Sequence, residues 1–194
     1  MTPRLLALAG SMRRDSYNDR LVRIAVRGAR EAGAEVTHVR MGDLPVPVYD
    51  ADLEEAEGMP ANVLEWKRLF KSHEGMLIST PEYNSMIPGA FKNLLDWISR
   101  PVPDERPFEP FRGKVVSLMS ASDGSLAAIR GLTVVRALLC HLQMIVLPDI
   151  LGIKFAGEAF DENGNLADPK MQEIALRLGK NAADMVRQMQ APVP

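Results

Sequence analysis

The sequence predicts an α/β protein: a doubly wound, five-stranded parallel sheet with helices on both faces. Three observations predict it. Short apolar runs alternate with longer segments of helical period, giving five βα units. The short runs are continuously apolar rather than alternating, as strands covered on both faces require. The chain has 194 residues, 46% apolar and 25% charged, enough for one full core and ordinary for a globular protein. Residues 1–194 are therefore expected to form one domain, with no internal repeat, low-complexity tract or interdomain linker.

Residues 4–9 read as the first strand, stopped by Gly10. A helix is expected over 18–32, where Leu21, Ile24, Ala25, Gly28, Ala29 and Ala32 recur at the i, i+3, i+4, i+7 spacing of one face. Arg20, Arg23, Arg27 and Arg30 fall on the opposite, solvated face, and Gly33 ends the helix. Glu35–Arg40 is the second strand. Leu44–Tyr49 contains Pro45 and Pro47, each lacking a ladder donor, so no central strand is expected there. Pro60 opens a helix through Phe70. Gly75–Ser79 is the third strand, and 86–99 a helix with Phe91, Leu94, Leu95 and Ile98 facing inward. Pro101, Pro103, Pro107 and Pro110 mark a long exposed loop. Lys114–Met119 is strand four, 125–139 a helix, Gln143–Leu147 strand five and 161–165 a turn. The last helix, 169–189, places Met171, Ile174, Ala175, Leu178, Ala182, Met185 and Met189 on one face.

A net charge of −2 gives no global basic excess for nucleic acid or an anionic membrane, and neither is expected as a partner. One cysteine, Cys140, allows no intramolecular disulfide and fits the cytoplasm; its place in an apolar helix predicts burial. Leu5–Ala9 is too short an apolar run to span a bilayer, and its positive charges follow it, unlike a signal peptide. His38, His73 and His141 lack ligand spacing, so no metal site is expected. Lys92 and Asp96 stand at i, i+4 beside Trp97, all read on the wet face of the third helix. An exposed tryptophan there would mark a surface covered by another subunit.

In a sheet of order 2-1-3-4-5, ligands bind at the carboxyl ends of strands one and three. The loops to read are 10–17 and 80–85. The first runs Gly10-Ser11-Met12-Arg13-Arg14-Asp15-Ser16-Tyr17-Asn18 into a helix N-terminus, where N–H groups and the dipole favour an anion. Two hydroxyls, an amide and a guanidinium add donors that suit a phosphate monoester. The run is neither a P-loop nor a dinucleotide fingerprint, having one glycine. Ser16 and Asp19 read as a capping box, which leaves Ser11 and Arg13 unexplained. The second loop is Thr80-Pro81-Glu82-Tyr83-Asn84, followed by Ser85 to Gly89. Its proline and aromatic suit a wall for a flat heterocycle, though alone it also fits an ordinary turn.

Together the two stretches resemble the NADPH-dependent FMN reductase family, which includes quinone, chromate and azo-dye reductases. The family's Gly-Ser-x-Arg-x-x-Ser-x-Asn is matched at Gly10, Ser11, Arg13, Ser16 and Asn18. Its second motif is matched by Pro81-Glu82-Tyr83-Asn84, Pro88-Gly89, Lys92-Asn93 and Asp96-Trp97. Leu44-Pro45 and the turn around Gly164-Asn165 look similar too, so the resemblance runs through most of the chain. It implies a flavodoxin-like sheet and FMN as cofactor. Ser11, Arg13, Ser16 and Asn18 would hold its phosphate, with Tyr17 in the same loop. Pro81, Glu82, Tyr83 and Asn84 would hold the isoalloxazine, largely through main chain. Hydride would pass from NADPH or NADH through the flavin to a small acceptor: a quinone, azo compound, chromate or free flavin. A homodimer or homotetramer is implied, with the flavin near a subunit interface. No catalytic acid or base is required, because the cofactor carries the electrons.

One stretch departs from the family. After strand four the chain reads Ser120-Ala121-Ser122-Asp123-Gly124-Ser125-Leu126-Ala127-Ala128, with alanines where a glycine pair is common. Ser122 and Gly124 are expected at the cofactor, and an added methyl at 127 or 128 would crowd the flavin or the nicotinamide face. This loop keeps open a flavin- or nucleotide-binding regulator without turnover, which NADPH oxidation would separate from an enzyme. An electron-carrier flavodoxin fits less well, since those are strongly acidic with Thr-rich phosphate loops. A hydrolase or transferase would need a nucleophile and base pair, and none is apparent.

Overall fold

A computed structural model describes residues 1–191. Its five strands are β1 (Arg4–Ala9), β2 (Glu35–Arg40), β3 (Gly75–Ser79), β4 (Val115–Ala121) and β5 (Ile145–Ile153). All pair in parallel, in the order β2-β1-β3-β4-β5. The helices are α1 (Tyr17–Glu31), α2 (Ala51–Glu57), α3 (Ala61–Ser72), α4 (Gly89–Ser99), α5 (Ile129–His141) and α6 (Pro169–Gln190). Helices α1 and α6 close one core with Leu5, Ala7, Leu77 and Met119. Helices α3, α4 and α5 close the other with Leu6, Leu8, Ile78 and Leu118. β3 and β4 are buried along their whole length and β1 everywhere but Arg4, which explains their unbroken apolar runs. This is the flavodoxin-like arrangement.

β1, β2 and β3 begin and end where the apolar pattern places them. β5 does not stop at Leu147. Pro148 interrupts the pattern, yet the strand passes it through a register shift opposite Val116 and Leu118 and runs to Ile153. α4 starts at Gly89, not 86, because Tyr83 and Met86 pair across a tight turn and Pro88 takes the N-cap. α5 starts at Ile129 rather than 125. α2 has no buried residue and so no apolar stripe to announce it. It is held by Glu54, which accepts from Tyr49 Oη at 3.0 Å and Arg100 Nε at 2.8 Å.

Three side-chain expectations are corrected. Trp97 is fully buried: Pro47 O accepts its Nε1 at 2.8 Å, and Tyr49 packs edge-on at 4.9 Å. Its cover is the proline-rich 44–49 strap of the same chain. Lys92 and Asp96 do pair on the half-exposed side. Cys140 is exposed, because the inward face of α5 is Leu132, Val135 and Leu139. On α6 the core stripe continues from Ala182 to Val186 by a step of four, leaving Met189 half-exposed. The 101–110 loop is not wholly exposed either. Glu105 lies buried against Lys67 Nζ at 2.5 Å, and that ammonium also donates to Ile98 O and Arg100 O. A buried pair needs such extra partners to offset desolvation.

α1 and α6 meet backbone to backbone. A Cβ on Gly28 would lie 2.0 Å from Leu176 O, and one on Gly179 would lie 1.8 Å from Ala25 O. Only glycine permits this approach. It fixes how deeply α1, and so its N-terminus, sits over the sheet.

Candidate active site

At the carboxyl ends of β1, β3 and β4 an open cleft of about 250 Å³ is lined by three loops. The first supplies Ser11, Arg13, Ser16, Tyr17 and Asn18; the second Pro81, Glu82 and Tyr83; the third Ala121, Ser122, Asp123 and Gly124. Every anticipated site residue is brought to this cleft except Asn84. Asn84 is exposed and left-handed (φ +52°), followed by Ser85 at +66°, while Tyr83 and Met86 exchange main-chain bonds of 3.1 and 3.0 Å. Its part is to make the turn, as asparagine tolerates that backbone. Ala121 and Asp123 were not anticipated; their position on either side of Ser122 was the available signal.

The three serines are used alike. Ser11 Oγ accepts from Arg13 N at 3.3 Å, Ser16 Oγ from Asn18 N at 3.2 Å, and Ser122 Oγ from Gly124 N at 3.2 Å. Each hydroxyl thereby has an acceptor site occupied and keeps its hydrogen to donate. Ser16 is also the N-cap of α1, whose next N–H groups and dipole add to the donors. The exposed Arg13 guanidinium lies 5.3 Å from the centre of the Tyr17 ring. Tyr17 is held in turn by parallel stacking on Phe160 at 6.3 Å.

Two residues at the start of α1 have partners elsewhere in the fold. Asp19 does not complete a capping box: it accepts from Arg23 Nε and pairs with His38 Nε2, each at 2.8 Å. Burial pushes its carboxyl up, but the hydrogen bonds from His38 and Arg23 outweigh it and hold it below the usual carboxylate value. Asn18 lines the cleft, yet its amide is committed to the sheet. Nδ2 donates to Ala121 O at 2.8 Å, and Oδ1 accepts from Ala121 N at 2.9 Å and Ser79 Oγ at 2.8 Å. It ties the ends of β3 and β4 to the start of α1, with a single Nδ2 hydrogen left over.

The third loop is strained, as its alanines require. Ala127 and Ala128 both have positive φ, +51° and +57°. Left-handed backbone costs an L-residue roughly 1–2 kcal/mol. Neither alanine is among the residues that line the cleft. Ala127 instead faces a separate cavity of about 390 Å³ beside Phe155 and Met171. It packs on Gly152, where a Cβ would lie 2.3 Å from Ala127 O. Asp123 Oδ1 accepts from Gly157 N at 2.8 Å, anchoring the loop to the segment after β5. Among the described residues no group of three or more His, Cys, Asp or Glu side chains is placed to hold a metal. No helix among them is long and apolar enough to cross a membrane.

The profile of the NADPH-dependent FMN reductase family matches residues 3–158. A quinone reductase of Escherichia coli strain K12 is 32% identical over 167 residues, covering 84% of this chain and 85% of that protein. An NAD(P)H-dependent FMN reductase of Pseudomonas aeruginosa is 32% identical over 174 residues, 88% of each chain. Among solved structures, the NAD(P)H:acceptor oxidoreductase FerB of Paracoccus denitrificans aligns with a TM-score of 0.80 at 24% identity, over 96% of this chain and 98% of that one. That likeness is one of fold.

Proposed function

The chain belongs to the NADPH-dependent FMN reductase family and is an FMN-dependent oxidoreductase of NAD(P)H; from that premise we propose how its cleft works. Ser11, Ser16 and Arg13, at the N-terminus of α1, seat the FMN phosphate. Pro81 to Tyr83 wall one side of the isoalloxazine, and Ser122 to Gly124 the other. Asn18 positions the seat by tying it to β3 and β4. Bound FMN supplies two-electron transfer between NAD(P)H and a small acceptor.

The donor-rich character of the seat carries the assignment. The Ser11 and Ser16 hydroxyls each accept from a backbone N–H and keep a hydrogen to donate, beside a guanidinium and a helix N-terminus. That set fits a phosphate dianion and disfavours a cation. The acceptor we favour is a quinone or a flavin. Met12, Tyr83, Met86, Leu126 and Ile129, on the loops around the cleft, are exposed apolar side chains, which suit a flat organic acceptor better than chromate. The same exposed residues suit contact with a second subunit, and we read the protein as a cytoplasmic homodimer or homotetramer. A regulator without turnover loses its support, since the altered alanines do not line the cleft.

The test is an absorbance spectrum after FMN addition and desalting, then after anaerobic NADPH. Retained flavin bands that bleach are expected. A protein that retains no FMN would overturn the seat.

A further inference from the structure

Helix α5 begins without a cap of its own. Its N-cap position is Ala128, left-handed and with no side-chain hydrogen bond. The first N–H groups of a helix need acceptors, and here the acceptor comes from another loop. Glu82 Oε2 accepts from Gly131 N at 2.8 Å, while Oε1 accepts from Arg130 Nη2 at 2.9 Å and Nε at 3.2 Å. The Glu82 side chain is 8% exposed, against 55% for Arg130. Gly131 is cut to fit: a Cβ there would lie 3.0 Å from both Cβ and Cγ of Glu82. A carboxylate in this place also meets the positive end of the α5 dipole. The two partners of this contact extend directly from the walls of the cleft, Glu82 from Pro81–Tyr83 and α5 from Ser122–Gly124.

We propose that Glu82 is a positioning residue. Its carboxylate caps α5 in place of Ala128 and fixes the spacing of the two walls that hold the isoalloxazine, while its main chain stays part of the wall. The idea rests on the FMN reading above. Glu82→Gln keeps an oxygen for the Gly131 N–H but loses the charge; Glu82→Ala loses both; Arg130→Met leaves the carboxylate. Hydrogen exchange at the Gly131 amide, measured without flavin, reads the cap. FMN affinity and the visible spectrum of bound flavin read the wall spacing.

Glu82→Ala is expected to speed exchange at Gly131 and to weaken FMN binding by about tenfold or more, as for a lost cap. It should also shift the bound-flavin spectrum toward that of free flavin. Glu82→Gln should restore affinity, spectrum and exchange to within about threefold, the scale of one neutral hydrogen bond. Equal losses of affinity in both variants, with exchange at Gly131 unchanged in Glu82→Gln, would mean that the charge acts on the cofactor, and would overturn the proposal. So would unchanged exchange at Gly131 in Glu82→Ala. Should that variant not fold, Glu82→Gln and Arg130→Met must both keep Gly131 protected, and loss of protection in either overturns the cap. A wild-type protein that binds no FMN sinks the reading of the cleft, while exchange at Gly131 still decides whether Glu82 caps α5.

Discussion

In the first loop of the cleft, α1 is capped by Ser16, the residue beside it; in the third, α5 takes its acceptor from Glu82 in a different loop. The two loops offer similar chemistry, a serine hydroxyl turned donor by a backbone N–H two residues on. Their backbones are opposite cases. Gly10 lets the first loop leave β1 against Thr80, where a Cβ would lie 2.4 Å from Oγ1. The third loop has alanine at its two left-handed positions and places its close-approach glycine, Gly152, on the neighbouring strand. The first loop caps its helix from within, although Asn18 still ties it to Ala121 and Ser79. A loop assembled from Glu82, Gly152 and Gly157 depends on all of them.

Substitutions can break or sharpen this contrast. Arg13→Ala should have the largest effect, weakening FMN binding by about 1.5–3 kcal/mol, the range for a charged hydrogen bond. Arg13 is exposed, so thermal stability of the flavin-free protein should stay as it is. Unchanged affinity in a flavin fluorescence titration would remove Arg13 from the seat. Ser16→Ala comes next, because it takes away a cap as well as a donor. A loss of about 0.5–2 kcal/mol in urea unfolding is expected, with weaker FMN binding alongside. Ser122→Ala removes no cap and serves as the paired control, expected to leave the unfolding midpoint nearly in place. Ala128→Gly should have the smallest effect and the opposite sign. Relief of left-handed strain, less the added freedom of the unfolded chain, should stabilise the fold by up to about 1 kcal/mol. FMN affinity should not move. A sharp gain in affinity would mean that the methyl crowds the flavin after all.

The same contrast explains what the sequence made legible. β1 and β3 were readable to the residue because continuous apolar runs and their breakers are local signals, and β2 because Val36 and Val39 stand between Gly33 and the prolines Pro45 and Pro47. The first loop of the cleft was readable because its cap, its serines and its arginine lie within eight positions of one another. What escaped was set by partners far along the chain. Trp97 disappears under a strap some fifty residues earlier. Asn18 is committed to Ala121, more than a hundred residues away. Glu105 leaves an apparently exposed proline loop to meet Lys67. Pro148 stops a local reading of β5, but the ladder resumes because β4 offers a shifted register. α2 has no buried residue, and is capped by Asp50 and tied through Glu54 to Tyr49 and Arg100.

The glycine contact between α1 and α6 bears on the order in which the molecule is made. Residues 11–18 precede α6 in the chain, with their hydroxyls and arginine already in sequence. The neighbour that sets the depth of α1 is α6, Pro169–Gln190, some hundred and fifty residues later. Gly28 has nothing to close upon until Leu176 has been synthesised. The loop of residues 11–18 is thus synthesised well before the helix that sets the depth of α1, so its final placement over the sheet waits on α6.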